Sequence, residues 1–182
     1  MPEYKRPIQI AVGVGIMAAL TAIGAFLRIP LPYVPITLQI SFVYLSGILL
    51  GPKYGMFAQA IYVTTGLIGF PIFAEGGGLH YVLKPSFGYL LGFIFAAWIS
   101  GTITKNHRSL LNLTTAAFVS LFAIYLPGII WLFVAMNYFI GQPTTWFTVL
   151  TLGLSPLFKD LILLPINIYL GLKISNKLGR NY

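Results

Sequence analysis

The chain reads as long apolar runs separated by short punctuated segments. No Asp, Glu, Lys or Arg occurs in residues 7–27, 29–52, 54–74, 85–104 or 109–158. A helix needs roughly 20 apolar residues to cross the hydrocarbon core of a bilayer. The last run is long enough for more than one crossing. Strict period-2 alternation, the pattern of a membrane barrel, is absent. Helices remain as the way to satisfy the backbone in lipid.

Proline and glycine set the boundaries. Pro7 suits the first residue of a helix over 8–27. Pro30, Pro32 and Pro35 forbid regular helix, so residues 29–35 read as a stiff extended loop. A second helix is predicted over 36–51, stopping at Gly51-Pro52, and a third over 54–69, stopping at Gly69-Phe70-Pro71. Residues 70–84 form a long loop carrying Gly76, Gly77 and Gly78. Pro85 opens a helix over 85–104, and Lys105–Ser109 is a polar connector. A fifth helix spans 112–139, with a kink expected at Pro127-Gly128. Gly141-Gln142-Pro143 ends it; residues 144–155 read as either a loop or an interfacial helix. The last helix covers 156–173 with Pro165 inside. The expected fold is all-α: one integral-membrane domain over 1–182, a polytopic bundle of six transmembrane helices. The first run follows Lys5 and Arg6, as a signal peptide would, but it exceeds the usual h-region of about 7–15 residues and reads as a retained helix.

Composition agrees. Hydrophobic residues make up 58% and charged residues 8%, where a soluble domain averages about 25% charged. Mean hydropathy is +0.88. A soluble chain this apolar could not cover its own surface. The net charge of +8 would raise nucleic acid as a partner for a soluble protein, but here it follows topology. With the N-terminus in the cytoplasm, the inner side holds Lys5, Arg6, Lys53, Lys105, Arg108, Lys173, Lys177 and Arg180. The outer side holds Arg28, Lys84 and Lys159, so the 11 basic residues divide 8 to 3 as the positive-inside rule requires. Both termini are then cytoplasmic. The absence of cysteine excludes disulfides, thiolate chemistry and cysteine metal sites.

The outer side also holds two of the three acids, so Arg28, Glu75, Lys84, Lys159 and Asp160 gather at one depth. Such charges can be solvated loop residues or a ligand site. Asp160 departs most from the first reading, because it begins an apolar helix. A carboxylate at membrane depth is costly unless paired or useful, although a helix N-terminus also favours it. No Walker A pattern is present. His80 and His107 fall on opposite sides and make no metal site. The acids are too few for a membrane hydrolase. No enzyme activity, metal or cofactor is expected.

Polar residues inside the spans point instead to a ligand cavity. Gln39 and Asn137 lie near the outer ends of their helices and can both donate and accept; interhelical bonding explains such residues equally, and fits Gln59 better. Tyr81 and Tyr89 bracket Lys84, with Phe73 and Tyr33 in flanking loops. They suit either an interfacial aromatic belt or an apolar cover over a small molecule. On the first helix, Ala11, Gly15, Ala18, Ala22 and Ala25 share one face, which serves packing within the bundle or docking of another membrane protein.

Several stretches together resemble the biotin-binding S components of energy-coupling factor (ECF) vitamin transporters, the BioY family. They are Ala25-Phe26-Leu27-Arg28-Ile29-Pro30-Leu31-Pro32, Val34-Pro35-Ile36-Thr37-Leu38-Gln39, Leu49-Leu50-Gly51-Pro52-Lys53-Tyr54-Gly55, Gly66-Leu67-Ile68-Gly69-Phe70-Pro71-Ile72-Phe73, the glycine triplet, and Pro85-Ser86-Phe87-Gly88-Tyr89-Leu90-Leu91-Gly92-Phe93. Asp160 stands where the family has an aspartate at the start of the last helix. The resemblance covers essentially the whole chain. It implies a multi-pass protein of a prokaryotic plasma membrane that captures biotin. It also implies docking to a transmembrane T component and two cytoplasmic ATPases, with Ala18 and Ala22 as the Ala-x-x-x-Ala docking motif. Taken with the residues read above, the expected biotin site comprises Gln39, Phe73, Tyr81, Lys84, Tyr89, Asn137, Lys159 and Asp160. The family often has a lysine three residues after its aspartate; this chain has Leu163. Lys84 or Lys159 then supplies the positive charge. Lipoate or dethiobiotin as ligand, and an autonomous secondary carrier, are the alternatives.

Overall fold

The computed structural model describes residues 7–177; Lys5, Arg6 and Arg180 of the charge pattern lie outside the described residues. The helices are α1 (Pro7–Phe26), α2 (Gln39–Leu50), α3 (Pro52–Leu67), α4 (Phe87–Ile103), α5 (Leu110–Val134), α6 (Trp146–Leu154) and α7 (Leu157–Lys177). Between α1 and α2, β1 (Arg28–Ile29) pairs antiparallel with β2 (Ile36–Thr37), Arg28 opposite Thr37. A 3₁₀ turn, Leu79–Leu83, precedes α4, and a π turn, Ala135–Phe139, extends α5. Three helical segments are long and apolar enough to cross a membrane: Pro7–Phe26, Leu110–Phe139 and Trp146–Ser175. The last of these joins α6 to α7, so the bundle counts six helices among the described residues. α2 and α4 are shorter apolar helices. Large apolar side chains lie exposed along the helices, among them Phe122, Phe147 and Phe158. This is what lipid as solvent permits.

The boundaries follow local chemistry. Pro52 opens α3 at a position where the missing N–H costs nothing, and Gly51 reaches the φ of 82° that the reversal before it requires. Ser109 caps α5 by accepting from the Asn112 N–H at 3.2 Å. Thr145 does the same for α6, accepting from the Thr148 N–H. Residues 146–154 of the ambiguous stretch are therefore helical. The second helix begins at Gln39, later than predicted, because Ile36 and Thr37 pair with β1 instead. α5 passes Pro127 as continuous helix. Its irregularity falls later, where the Ile140 N–H reaches back five residues to the Ala135 carbonyl.

α4 packs against α2, α3 and α5, and α7 lies on α2 and α5. The approach of α2 to α4 is close: a Cβ built on Gly47 would lie 2.0 Å from Ser100 Oγ. Along α1 the small-residue stripe turns from exposed (Ala11, Gly15) to half-buried (Ala18, Ala22) to buried (Ala25). Ala18 and Ala22 therefore pack partly on the core of their own chain. The charges separate by end. Lys53, Lys105 and Arg108 line one groove. Arg28, Glu75, Lys84, Lys159 and Asp160 lie at the opposite end, where α2, α4 and α7 begin.

Candidate ligand-binding site

Where β2, the 3₁₀ turn and the starts of α2, α4 and α7 converge, a cavity of about 40 Å³ opens. Its walls include Val34, Ile40, Tyr81, Tyr89, Leu90 and Phe93, and its polar groups come from Thr37, Gln39, Ser86, Tyr125, Lys159 and Asp160. The chain brings these together through its turns. Pro35 delivers β2, whose pairing with β1 fixes Thr37 beside Gln39. Gly66 leaves room for the Phe73 ring, which a Cβ would meet at 2.1 Å. Phe73 in turn supports Tyr81, ring centroids 4.6 Å apart, and Tyr62 at 5.4 Å.

Asp160 is buried at the base of this cavity. Lys159 donates to its Oδ1, and Tyr125 donates to its Oδ2 at 2.6 Å. The Lys159 ammonium also donates to the Thr37 carbonyl, so α7 is tied to the β2–α2 corner. Each carboxylate oxygen has a donor, which meets the condition for a buried charge. Gln39 accepts from Thr37 Oγ1 at 3.0 Å and donates to Tyr62 Oη at 2.7 Å. Tyr62 passes its own proton to the Ile72 carbonyl at 3.1 Å. Tyr81 shares a 3.2 Å hydrogen bond with Ser86, and Ser86 donates to Glu75 at 3.4 Å. Burial, with help from the Glu75 carboxylate, pushes the Tyr81 hydroxyl up to about 12; it stays protonated as a donor at neutral pH. Tyr89 donates to the Gly153 carbonyl at 2.8 Å and stands edge-on to Tyr125. The result is an apolar aromatic chamber with one acid–base pair at its base.

Of the residues singled out in the sequence, Gln39, Tyr81, Tyr89, Lys159 and Asp160 line this cavity. Phe73 is 1% exposed and lies behind Tyr81 as support. Lys84 lines a separate outer groove with Tyr33, Glu75, His80 and Ile140. Asn137 is not brought in. Its amide donates to the Phe133 and Thr144 carbonyls and accepts from the Thr144 N–H, closing the π turn onto the following loop. The charged group of the outer end thus divides into the Lys159–Asp160 pair in the chamber and Glu75 with Lys84 in the outer groove, while Arg28 is exposed and lines neither. Sequence reasoning passed over Tyr125, Ser86 and Thr37 as site residues. Tyr125 sits mid-helix in an uncharged run and had no local signal; Thr37 and Ser86 adjoin quoted motif residues and could have been found there.

The family model described as "BioY family" matches residues 3–180. A probable biotin transporter BioY of Lysinibacillus sphaericus is 43% identical over 147 residues, covering 77% of this chain and 72% of that protein. The biotin transporter BioY of Thermotoga maritima is 35% identical over 154 residues, covering 79% and 89%. Among solved structures, the S-component for biotin from an ECF-type ABC transporter superposes with a TM-score of 0.79 at 23% identity. That match covers 97% of this chain and 95% of the other, and establishes a shared fold.

Proposed function

The chain belongs to the BioY family, and from that premise we propose that it is the biotin-capturing S component of an ECF-type vitamin transporter. The observation that carries the site assignment is the pair of buried Asp160 and half-buried Lys159 in an aromatic chamber. Biotin's ureido ring presents N–H donors beside a carbonyl acceptor. A carboxylate and an ammonium side by side are complementary to it: Asp160 accepts from N–H, and Lys159 donates to the carbonyl. Gln39, buried in the same wall, assists, and Tyr81 and Tyr89 cover the thioether ring. The valeryl tail holds biotin's carboxylate a full tail length from the ureido group. One adjacent Lys–Asp pair does not serve both ends, which assigns the carboxylate to Lys84 in the outer groove. A cavity of about 40 Å³ is small beside the ~300 Å³ of ordinary ligand pockets, so entry requires its walls to move apart.

On this reading, uptake is driven by a T component and two ATPases, with both termini of this chain on the cytoplasmic side. Ala18 and Ala22 contribute to docking on those partners. Calorimetry on purified protein with biotin, dethiobiotin, biotin amide and lipoate tests the ligand. Biotin and dethiobiotin should bind. Lipoate, which lacks ureido donors, should bind at least tenfold more weakly. The amide should lose affinity in the wild type but not in Lys84→Gln. Tighter binding of lipoate than of biotin would sink the reading. Ala18→Trp with Ala22→Trp should stop uptake in vesicles while leaving biotin binding intact. Uptake by the chain alone, with no partner present, would instead make it an autonomous carrier.

A further inference from the structure

The end of the bundle opposite the biotin chamber carries a second cavity, of about 340 Å³, lined by Lys53, Tyr54, Lys105 and Arg108. These residues come from two places, the first turn of α3 and the α4–α5 connector, with Gly101 of α4 completing the wall. Among its lining residues there is no acid. Arg108 is fixed in position, its guanidinium donating to Ser175 Oγ and to the Ile48 carbonyl at 2.7 Å. Lys53 and Lys105 are exposed at the rim, with the Lys53 ammonium 5.8 Å from the Tyr54 ring centroid. The groove sits where α2 and α4 end and α3 begins, at the level where the apolar helix surfaces give way to charge. Directly along α3 from Lys53, Phe57 is exposed on the same face, and Trp98 is exposed on α4.

We propose that this groove is a binding site for the headgroup of an anionic phospholipid. The two rim ammonium groups hold the phosphate, with the fixed positive charge of Arg108 behind them, and the acyl chains run down the apolar faces marked by Phe57 and Trp98. An acidic protein segment matches the charge but makes no use of those apolar faces, which is why the lipid fits better. The assignment does not rest on biotin being the ligand at the other end.

Native mass spectrometry of the full-length protein, released from mixed micelles of phosphatidylglycerol and phosphatidylcholine, tests it. The wild type should retain phosphatidylglycerol in preference to phosphatidylcholine. Each basic residue near an anionic headgroup contributes about 1 kcal/mol, so Lys53→Gln with Lys105→Gln should weaken that preference roughly tenfold or more. The double Lys→Arg variant should keep it, and an unchanged thermal unfolding midpoint in both is the control for folding. Equal retention of the two lipids, or a preference unaltered in the Gln variant, overturns the proposal. Displacement of phosphatidylglycerol by millimolar inorganic phosphate would reassign the site to free phosphate. Loss of partner docking in the Lys53→Gln, Lys105→Gln variant, with lipid preference unaltered, would reassign it to an acidic protein surface.

Discussion

Removing either member of the Lys159–Asp160 pair should have unequal consequences, and the inequality can be worked from burial. The Asp160 side chain is 3% exposed and the Lys159 side chain 20%. Lys159→Met leaves a nearly water-free carboxylate with only Tyr125 as donor. Breaking a buried pair in this way costs about 3–5 kcal/mol. Asp160→Asn leaves an ammonium that retains the Thr37 carbonyl and some access to water. The loss is then that of charge-assisted hydrogen bonds, about 1.5–3 kcal/mol. For a chain of this size each kcal/mol shifts Tm by about 2–4 °C. Lys159→Met should therefore lower Tm by roughly 6–20 °C, and Asp160→Asn by roughly 3–12 °C. The double variant Lys159→Met, Asp160→Leu has no stranded charge and should return to near wild-type stability or above it. Binding should separate from stability. Asp160→Asn should weaken biotin at least tenfold, and the stable double variant should bind none. Thermal unfolding in detergent followed by size-exclusion fluorescence, together with calorimetric titration, measures both. A double variant no more stable than Lys159→Met, or one that binds biotin like the wild type, refutes the reasoning.

Two other perturbations probe the frame around the pair. Gly66→Val drives a branched side chain into the Phe73 ring, 2.1 Å from where its Cβ would stand. Overpacking should cost about 1–3 kcal/mol, and biotin affinity should fall with it because Phe73 supports Tyr81; unchanged Tm and affinity would mean that the ring has another place to go. The Tyr81 hydroxyl is held at about 12 by burial above all, against about 10 in an unfolded chain. Unfolded tyrosine ionises first as pH rises, so the fold loses stability from about pH 10 upward. Tyr81→Phe should flatten that part of the alkaline Tm profile between pH 9 and about 12, and leave the profile below pH 9 parallel to the wild type.

The sequence by itself determined the solvent, the helical class, the approximate spans and the separation of charge between two ends. These are additive, local properties: each residue contributes its own transfer free energy, and Pro and Gly act on their own backbone. Asp160 was legible for the same reason, as a lone carboxylate starting an apolar helix. The tertiary structure alone decided which side chains meet. α2 is apolar on nearly every side, and α3 scatters its polar residues around the helix, so no stripe in the sequence announces which face turns inward. Helix rotation is instead set by close approaches such as Gly47 on Ser100 and by long-range bonds such as Tyr125 to Asp160, 35 residues apart. The same geometry placed Lys159 within the chamber and Lys84 outside it. It also committed Asn137 to its own turn, since a buried amide takes the nearest partners that satisfy all its hydrogen bonds.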